Sequence, residues 1–417
     1  MVLFRVESEG SQVSLRCEVF GILTTAIREL TLLLLSIRAI LSYPNTAEVV
    51  KRDPNTKLVL WGTRHGNRNP EQFVYKTPSS WGFEGNTELT QFGKRQAYGL
   101  GRELRKFVGD LVDGNYLPSQ AKYYSSSANR CQMTLQTALA GFYTPTGWAD
   151  WQRTRFDFWS PVPYSIDDPL LRMYAVKNCP ASDQAWKPIS EDTLPDLAKI
   201  VSENRELLGY IARNTNWTLS VSSAADLADN IIEMDLYGAP YPSWIANPSL
   251  PGFNGATFKR AVLSFGEKHQ IRCTEYEPCR DLMGGVWINH ILESIENAVK
   301  GEGPRVIGYS SHTEVTLAVI KLLGVERHEL TTSAGFLLEY RNVPTPSIRI
   351  LNHDPDPIDK HVIYKAKYTP ELSKIADKSG WIPKEKFVAL AAKHTIQDWE
   401  TACGRSPCTP SLPLPYA

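Results

Sequence analysis

Short apolar runs alternate with longer stretches of helical periodicity along most of this 417-residue chain, the pattern of strands interleaved with helices. Three of the runs share one form. Lys57-Leu58-Val59-Leu60-Trp61 leads into Gly62-Thr63-Arg64-His65-Gly66-Asn67-Arg68, Lys122-Tyr123-Tyr124 into Ser125-Ser126-Ser127-Ala128-Asn129-Arg130, and Arg305-Val306-Ile307-Gly308-Tyr309 into Ser310-Ser311-His312. Each places a reactive or cationic side chain just past a strand. Helical patterns follow or lie between them. Leu89, Phe92, Gln96, Leu100, Leu104 and Phe107 fall near one face of Leu89 to Val108, and Val315 to Leu323 is apolar after a polar start. No fixed-period repeat is evident. Strands alternating with helices predict an α/β layer fold. In open sheets of that kind the ligand crevice lies beyond the carboxyl ends of the strands, so the three loops are expected to converge.

Residues 165–283 break this rhythm. They are rich in Pro, Trp and polar turns, with helical patches at Leu194 to Ile211 and Ala224 to Leu236, and read as an inserted, mainly helical cap over the crevice. The α/β domain then comprises residues 48–164 and 284–403, with an extension at 1–47 and a Pro-rich tail at 404–417. Trp217, Trp244 and Phe253 are candidates for an aromatic leaving-group site, although packing within the cap is the commoner use of such residues. In the extension, Phe20 to Leu41 reads as the apolar region of a signal peptide ending near Ser42 or Ala47. Arg28, Glu29 and Arg38 interrupt it, which disfavours a stable membrane span.

Forty-five basic and 45 acidic residues leave a formal net charge of +0, so no bulk field draws the chain to nucleic acid or anionic lipid. A hydrophobic fraction of 42% with 22% charged residues excludes disordered, collagen-like and multi-span membrane classes. None of the seven cysteines shares a CxxC spacing, so structural zinc is not expected. Cys179, Cys273, Cys279 and Cys403 lie in Pro-rich or polar loop sequence, and Asn216-Trp217-Thr218 is an N-glycosylation triplet. Both suit an oxidising compartment, the secretory pathway or the lysosomal lumen.

The sharpest chemical signal is Arg64-His65-Gly66-Asn67-Arg68-Asn69-Pro70. Two guanidiniums flank an imidazole, and the glycine allows close backbone approach. Planar guanidiniums hold phosphate oxygens bidentately, and a neutral imidazole can attack phosphorus to form a phosphohistidine. This segment resembles the RHGxRxP signature of the histidine acid phosphatases, a branch of the histidine phosphatase superfamily. Leu89-Thr90-Gln91-Phe92-Gly93 resembles the LTxxG helix of that family, and Ser127-Ala128-Asn129-Arg130 the segment carrying its downstream phosphate-binding arginine. Trp159-Ser160-Pro161-Val162-Pro163, Gly284-Gly285-Val286-Trp287, Tyr309-Ser310-Ser311-His312 and Gln397 to Cys403 are similar to the lysosomal and prostatic acid phosphatase subgroup. The likeness covers roughly residues 56–403 and is weakest in the middle.

The resemblance implies a three-layer α/β sheet flanked by helices, with an inserted helical cap. It makes His65 the nucleophile, with Arg64, Arg68 and Arg130 holding the phosphoryl oxygens and His312 adding a donor. The implied reaction is hydrolysis of phosphate monoesters, on small molecules or phosphoproteins, with no metal and no cofactor. A Cys179–Cys403 disulfide tying the cap to the C-terminus and a homodimer are implied as well. Cys273–Cys279 can close a local loop, while Cys131 and Cys408 have no evident partner.

Two positions depart from the subgroup. Asn67 stands where an Asp often follows the glycine, a change that keeps a local hydrogen bond and gives up a charge. More consequentially, the His-Asp pair whose Asp donates a proton to the leaving alcohol is replaced by His312-Thr313-Glu314. Threonine is no comparable acid. Glu314 resembles the acid of the His-Ala-Glu variant in multiple inositol polyphosphate phosphatases and some phytases, and a carboxylate at a helix start also needs no catalytic reason. Two further functions therefore stand beside acid phosphatase: an inositol polyphosphate phosphatase, and a secreted phosphate-binding homologue without turnover.

Overall fold

The computed structural model describes residues 49–74, 80–151 and 159–405. The expected signal peptide and the tail beyond Arg405, with Cys408, lie outside them.

The described chain builds an eight-stranded mixed sheet. Its strands are β1 (Thr56–Arg64), β2 (Ala121–Ser125), β3 (Ser165–Ile166), β4 (Val306–Ser311), β5 (Gly335–Arg341), β6 (Ser347–Pro355), β7 (His361–Lys365) and β8 (Trp381–Pro383). They lie in the order β3-β2-β4-β1-β5-β6-β7, with β8 pairing β6. β3, β2, β4 and β1 are mutually parallel, and the sheet turns antiparallel from β5 onward. The three strands singled out by the sequence are therefore parallel neighbours. Arg64 pairs with Ser311 and Ser125 with Ser310, which brings their loops to one edge.

The apolar run of β1 reflects burial on both faces. Leu58 and Leu60 enter one core with Ile307, Tyr309, Phe336 and Leu338; Val59 and Trp61 enter the other with Val306 and Leu337. Helices α1 (Gln91–Val108) and α2 (Asn129–Phe142) cover the second face through Leu100, Leu104, Leu135 and Leu139. The first is covered by α5 (Glu277–Lys300) and α6 (Thr313–Leu322), through Trp287, Ile291, Val315 and Val319. Between them come α3 (Val221–Tyr237) and α4 (Lys268–Glu275), which belong to the helical segment over the strand ends.

That segment has a separate apolar core formed from Leu207 to Phe265. Its edges differ from the expected 165–283. Ser165 and Ile166 pair with β2 as part of the sheet, and residue 283 falls within the unbroken helix Glu277–Lys300, because one apolar stripe runs from Met283 to Ile295 in the sheet-facing core. The single helical patch expected at Leu194 to Ile211 is two helices, Pro195–Glu203 and Arg205–Thr215. They part at Asn204, whose side-chain amide donates to the Ile200 carbonyl at 2.9 Å and competes with helical pairing.

Candidate active site

The first loop is shaped by two glycines in backbone contact. A Cβ on Gly66 would lie 2.6 Å from the Gly93 carbonyl oxygen, and one on Gly93 only 2.2 Å from the Asn67 carbonyl oxygen. Two segments that resemble the family separately are thus one joint. Thr90 caps α1, its hydroxyl accepting from Gly93 N–H at 3.2 Å, and it also donates to the Asn67 side-chain carbonyl. The Asn67 amide donates in turn to Glu233 on α3 at 2.6 Å.

His65 is 3% exposed at the end of β1. Its Nδ1 lies 2.9 Å from the Gly66 carbonyl oxygen. A carbonyl only accepts, so Nδ1 carries the proton and Nε2 the free lone pair. Burial, followed by the guanidiniums of Arg130 and Arg64, holds this imidazole well below its ordinary pKa. The shift favours the neutral imidazole.

His312 lies 5.7 Å away between ring centroids and is likewise pushed well below the usual range by burial and Arg130. Arg130, in the first turn of α2, donates to its Nδ1 at 3.3 Å. That leaves the proton on Nε2, which donates to the Ser126 hydroxyl at 2.9 Å. Both ring nitrogens are thus engaged, and His312 orients Arg130. Arg64 donates to the Leu330 carbonyl at 2.7 Å, and Arg68 pairs with Asp229 of α3 at 2.9 Å. The buried Nε atoms of Arg64 and Arg130 have no protein acceptor among the described residues, a donor set that fits a multidentate anion.

Carboxyls form the other wall. Glu314 is 6% exposed in the first turn of α6. Burial raises its pKa, helped by Glu267 and opposed by its own backbone N–H, Arg130 and Arg64. Glu267 carries no family-like motif and is one of the residues that sequence reasoning missed. It precedes α4, pairs with Arg64 and accepts from the Thr313 hydroxyl at 2.9 Å. Burial alone would raise its carboxyl, but Arg64, Arg68 and Thr313 outweigh that and hold it below the ordinary range. Behind Arg68, burial raises Asp229 and takes Glu233 to about 8.

Tyr174, also missed, sets its ring 5.7 Å from His312 and stacks on Trp186 at 6.4 Å. Trp217, Trp244 and Phe253 instead pack against the core of the helical segment, with Trp244 6.0 Å from Phe258. Disulfides join Cys179 to Cys403 and Cys273 to Cys279. Cys131 is a buried free thiol donating to the Ser311 carbonyl at 3.3 Å. Asn216 is exposed and adopts the left-handed conformation that ends its helix. Among the described residues no helix is long and apolar enough to cross a membrane.

Residues 54–344 match the model of the family described as histidine phosphatase superfamily (branch 2). The prostatic acid phosphatase of Bos taurus is 24% identical over 386 residues, spanning 89% of this chain and 94% of its own. The lysosomal acid phosphatase of Bos taurus is 25% identical over 278 residues, spanning 64% and 62%. A solved Hafnia alvei phytase in complex with tartrate shares the fold, with a TM-score of 0.61 at 12% identity over 85% of this chain and 99% of its own.

Proposed function

The chain belongs to the histidine phosphatase superfamily (branch 2), and on that premise we propose that it is an acid phosphatase acting on phosphate monoesters through a phosphohistidine on His65. The observation that carries this is the neutral His65, with its lone pair on Nε2, beside Arg64, Arg68 and Arg130, whose fields it feels. Phosphoryl transfer spreads negative charge over equatorial oxygens, and preorganised guanidiniums stabilise that charge without reorganising. His65 attacks phosphorus as the bond to the leaving oxygen breaks. Glu314, whose raised pKa favours the protonated form, gives its proton to that oxygen. His312 holds Arg130 in place through Nδ1.

The carboxyl wall favours simple monoesters over inositol polyphosphates, because Glu267, Asp229 and Asp226 lie in the field of Arg68 and would repel further phosphates. We assign the chain to the secretory or lysosomal lumen as a glycoprotein with a signal peptide. Two disulfides and an exposed Asn216 support this, and the homodimer follows from family resemblance. The deciding experiment is turnover of an aryl phosphate, an alkyl phosphate and phytate, with alkaline denaturing quench and mass spectrometry of the trapped phosphate. Phosphate mapping away from His65 would remove the mechanism. Phytate as the best substrate would favour the inositol polyphosphate reading. Tight phosphate binding without turnover would favour a binding protein.

A further inference from the structure

Hydrolysis through a covalent phosphohistidine has a second half, in which water must attack phosphorus after the alcohol has left. We propose that Glu267, contributed by the helical segment above the strands, is the general base for that water. The inference rests on the phosphatase reading above and adds a residue and a step to it.

Glu267 is placed between the two ends of the site. Glu267 reaches from before α4 to Arg64, which adjoins His65 on β1, and to Thr313, which adjoins His312 on α6. One carboxylate thus touches the phosphate-binding guanidinium and the side chain next to the buried imidazole. His65 lies at the sheet edge and Glu267 in the segment covering it, and the Arg64 guanidinium that pairs with Glu267 is one of the charges His65 feels. In-line attack on a phosphoryl group held by His65 comes from the side away from the histidine.

Glu267 is a non-glycine residue at φ +59°, a left-handed conformation that costs roughly 1–3 kcal/mol and persists where surrounding structure enforces it. Nothing in α4 requires it, since Glu267 makes no side-chain cap to that helix. The strained turn instead delivers the carboxylate to Arg64.

Its charged surroundings are mixed. Arg64 and Arg68 face it from the end of β1 and its loop, Glu314 from α6 and Asp229 from α3. Within α4 itself, His269 is occupied by Asp192 at 2.7 Å. In this setting the carboxyls of Glu314 and Glu267 are pushed apart. Glu314 is favoured as the acid and Glu267 as the carboxylate, the division expected of an acid and a base in one site. A phosphoryl group on the free Nε of Arg64 would share that guanidinium with Glu267 and make the carboxylate more basic.

A water O–H proton passes to the Glu267 carboxylate while the water oxygen forms a bond to phosphorus. The phosphorus–Nε2 bond breaks and its electron pair returns to His65. Inorganic phosphate leaves, and Glu267 returns its proton to solvent.

The test is rapid-quench kinetics of Glu267→Gln with an aryl phosphate, whose leaving group needs little protonation. About one equivalent of aryl alcohol per site should be released in a burst. A steady state slower by about 10²–10³-fold should follow, the range of a lost general base, with phosphate accumulated on His65. Glu267→Asp, which keeps the carboxylate, should recover part of the slow phase and its dependence on pH. A uniform fall without phosphohistidine accumulation, or equal behaviour of the Gln and Asp variants, would overturn the inference and make Glu267 an ion pair holding the segment down. If His65 carries no phosphate in the wild type either, the nucleophile assignment itself fails.

Discussion

The strand ends below the site contribute its guanidiniums and imidazoles, whereas the helical segment above contributes carboxyls. Arg64, His65, Arg68, Arg130 and His312 come from β1, β2, β4 and the loops and helices leading from them, and they are fixed by sheet register and helix starts. Glu267, Asp229 and Glu233 come from the segment between the two halves of the sheet and reach the site through side-chain contacts. The lower region gathers three guanidiniums around a buried imidazole, the donor set that the proposed reaction needs. The upper region supplies carboxyls whose protonation is set by those same cations, so it is suited to moving protons and to limiting how much negative charge a substrate brings.

The largest expected effect is on the lower region. His65→Ala should remove the covalent route and reduce turnover by about 10⁴-fold or more, while equilibrium titration still detects inorganic phosphate on the three arginines. Near-wild-type turnover would show that the strand ends bind but do not react. Next is Glu314→Gln, expected to slow an alkyl phosphate by about 10²–10⁴-fold and an aryl phosphate much less. Equal, small losses on both substrates would make Glu314 a helix-start carboxylate only.

Cys403→Ser separates scaffold from chemistry. The Cys179–Cys403 bridge closes a separation of 224 residues with both cysteines buried, and its loss should cost about 2–4 kcal/mol, read as a lower thermal midpoint. kcat/KM measured well below that midpoint should stay within a few-fold of wild type. A collapse of phosphate binding would show that the tether also positions the site.

The smallest effect concerns pH and Glu233. Its pKa of about 8, against an ordinary 4.5, means the folded protein keeps a proton that the unfolded chain releases. This stabilisation is fully present below the unfolded value and is lost as pH rises through about 8. The wild type should therefore lose stability between pH 5 and 8.5. Glu233→Gln, keeping the Asn67 contact without the titration, should be more stable than wild type at the upper end by roughly 1–3 kcal/mol. Parallel profiles for the two proteins in thermal unfolding would show that Glu233 does not set this slope.

Much of the site was legible because its residues sit next to elements with strong local signals. The apolar run before Arg64 marked a strand, and the runs before Arg130 and His312 marked two more that lie parallel to it in the same sheet. Gly66 and Gly93 were visible as parts of two motifs, although not as a single backbone contact. Legibility failed where a local pattern meets a distant partner. Leu194 to Ile211 carries one helical stripe, yet Asn204 divides it. Trp217, Trp244 and Phe253 have the composition of a binding surface, but Phe258 and its neighbours take them into a separate core.

The sequence by itself determined the α/β class, the three strand-end loops, the nucleophile candidate and the cations around it, because strand, loop and functional side chain lie within a few residues and share one local grammar. Only the tertiary structure decided what faces those cations. Glu267 is 203 residues from Arg64 and 46 from Thr313, and no periodicity or motif links them. Their meeting depends on how the helical segment seats over the strand ends, and burial among guanidiniums then sets which carboxyl keeps a proton and which gives it up.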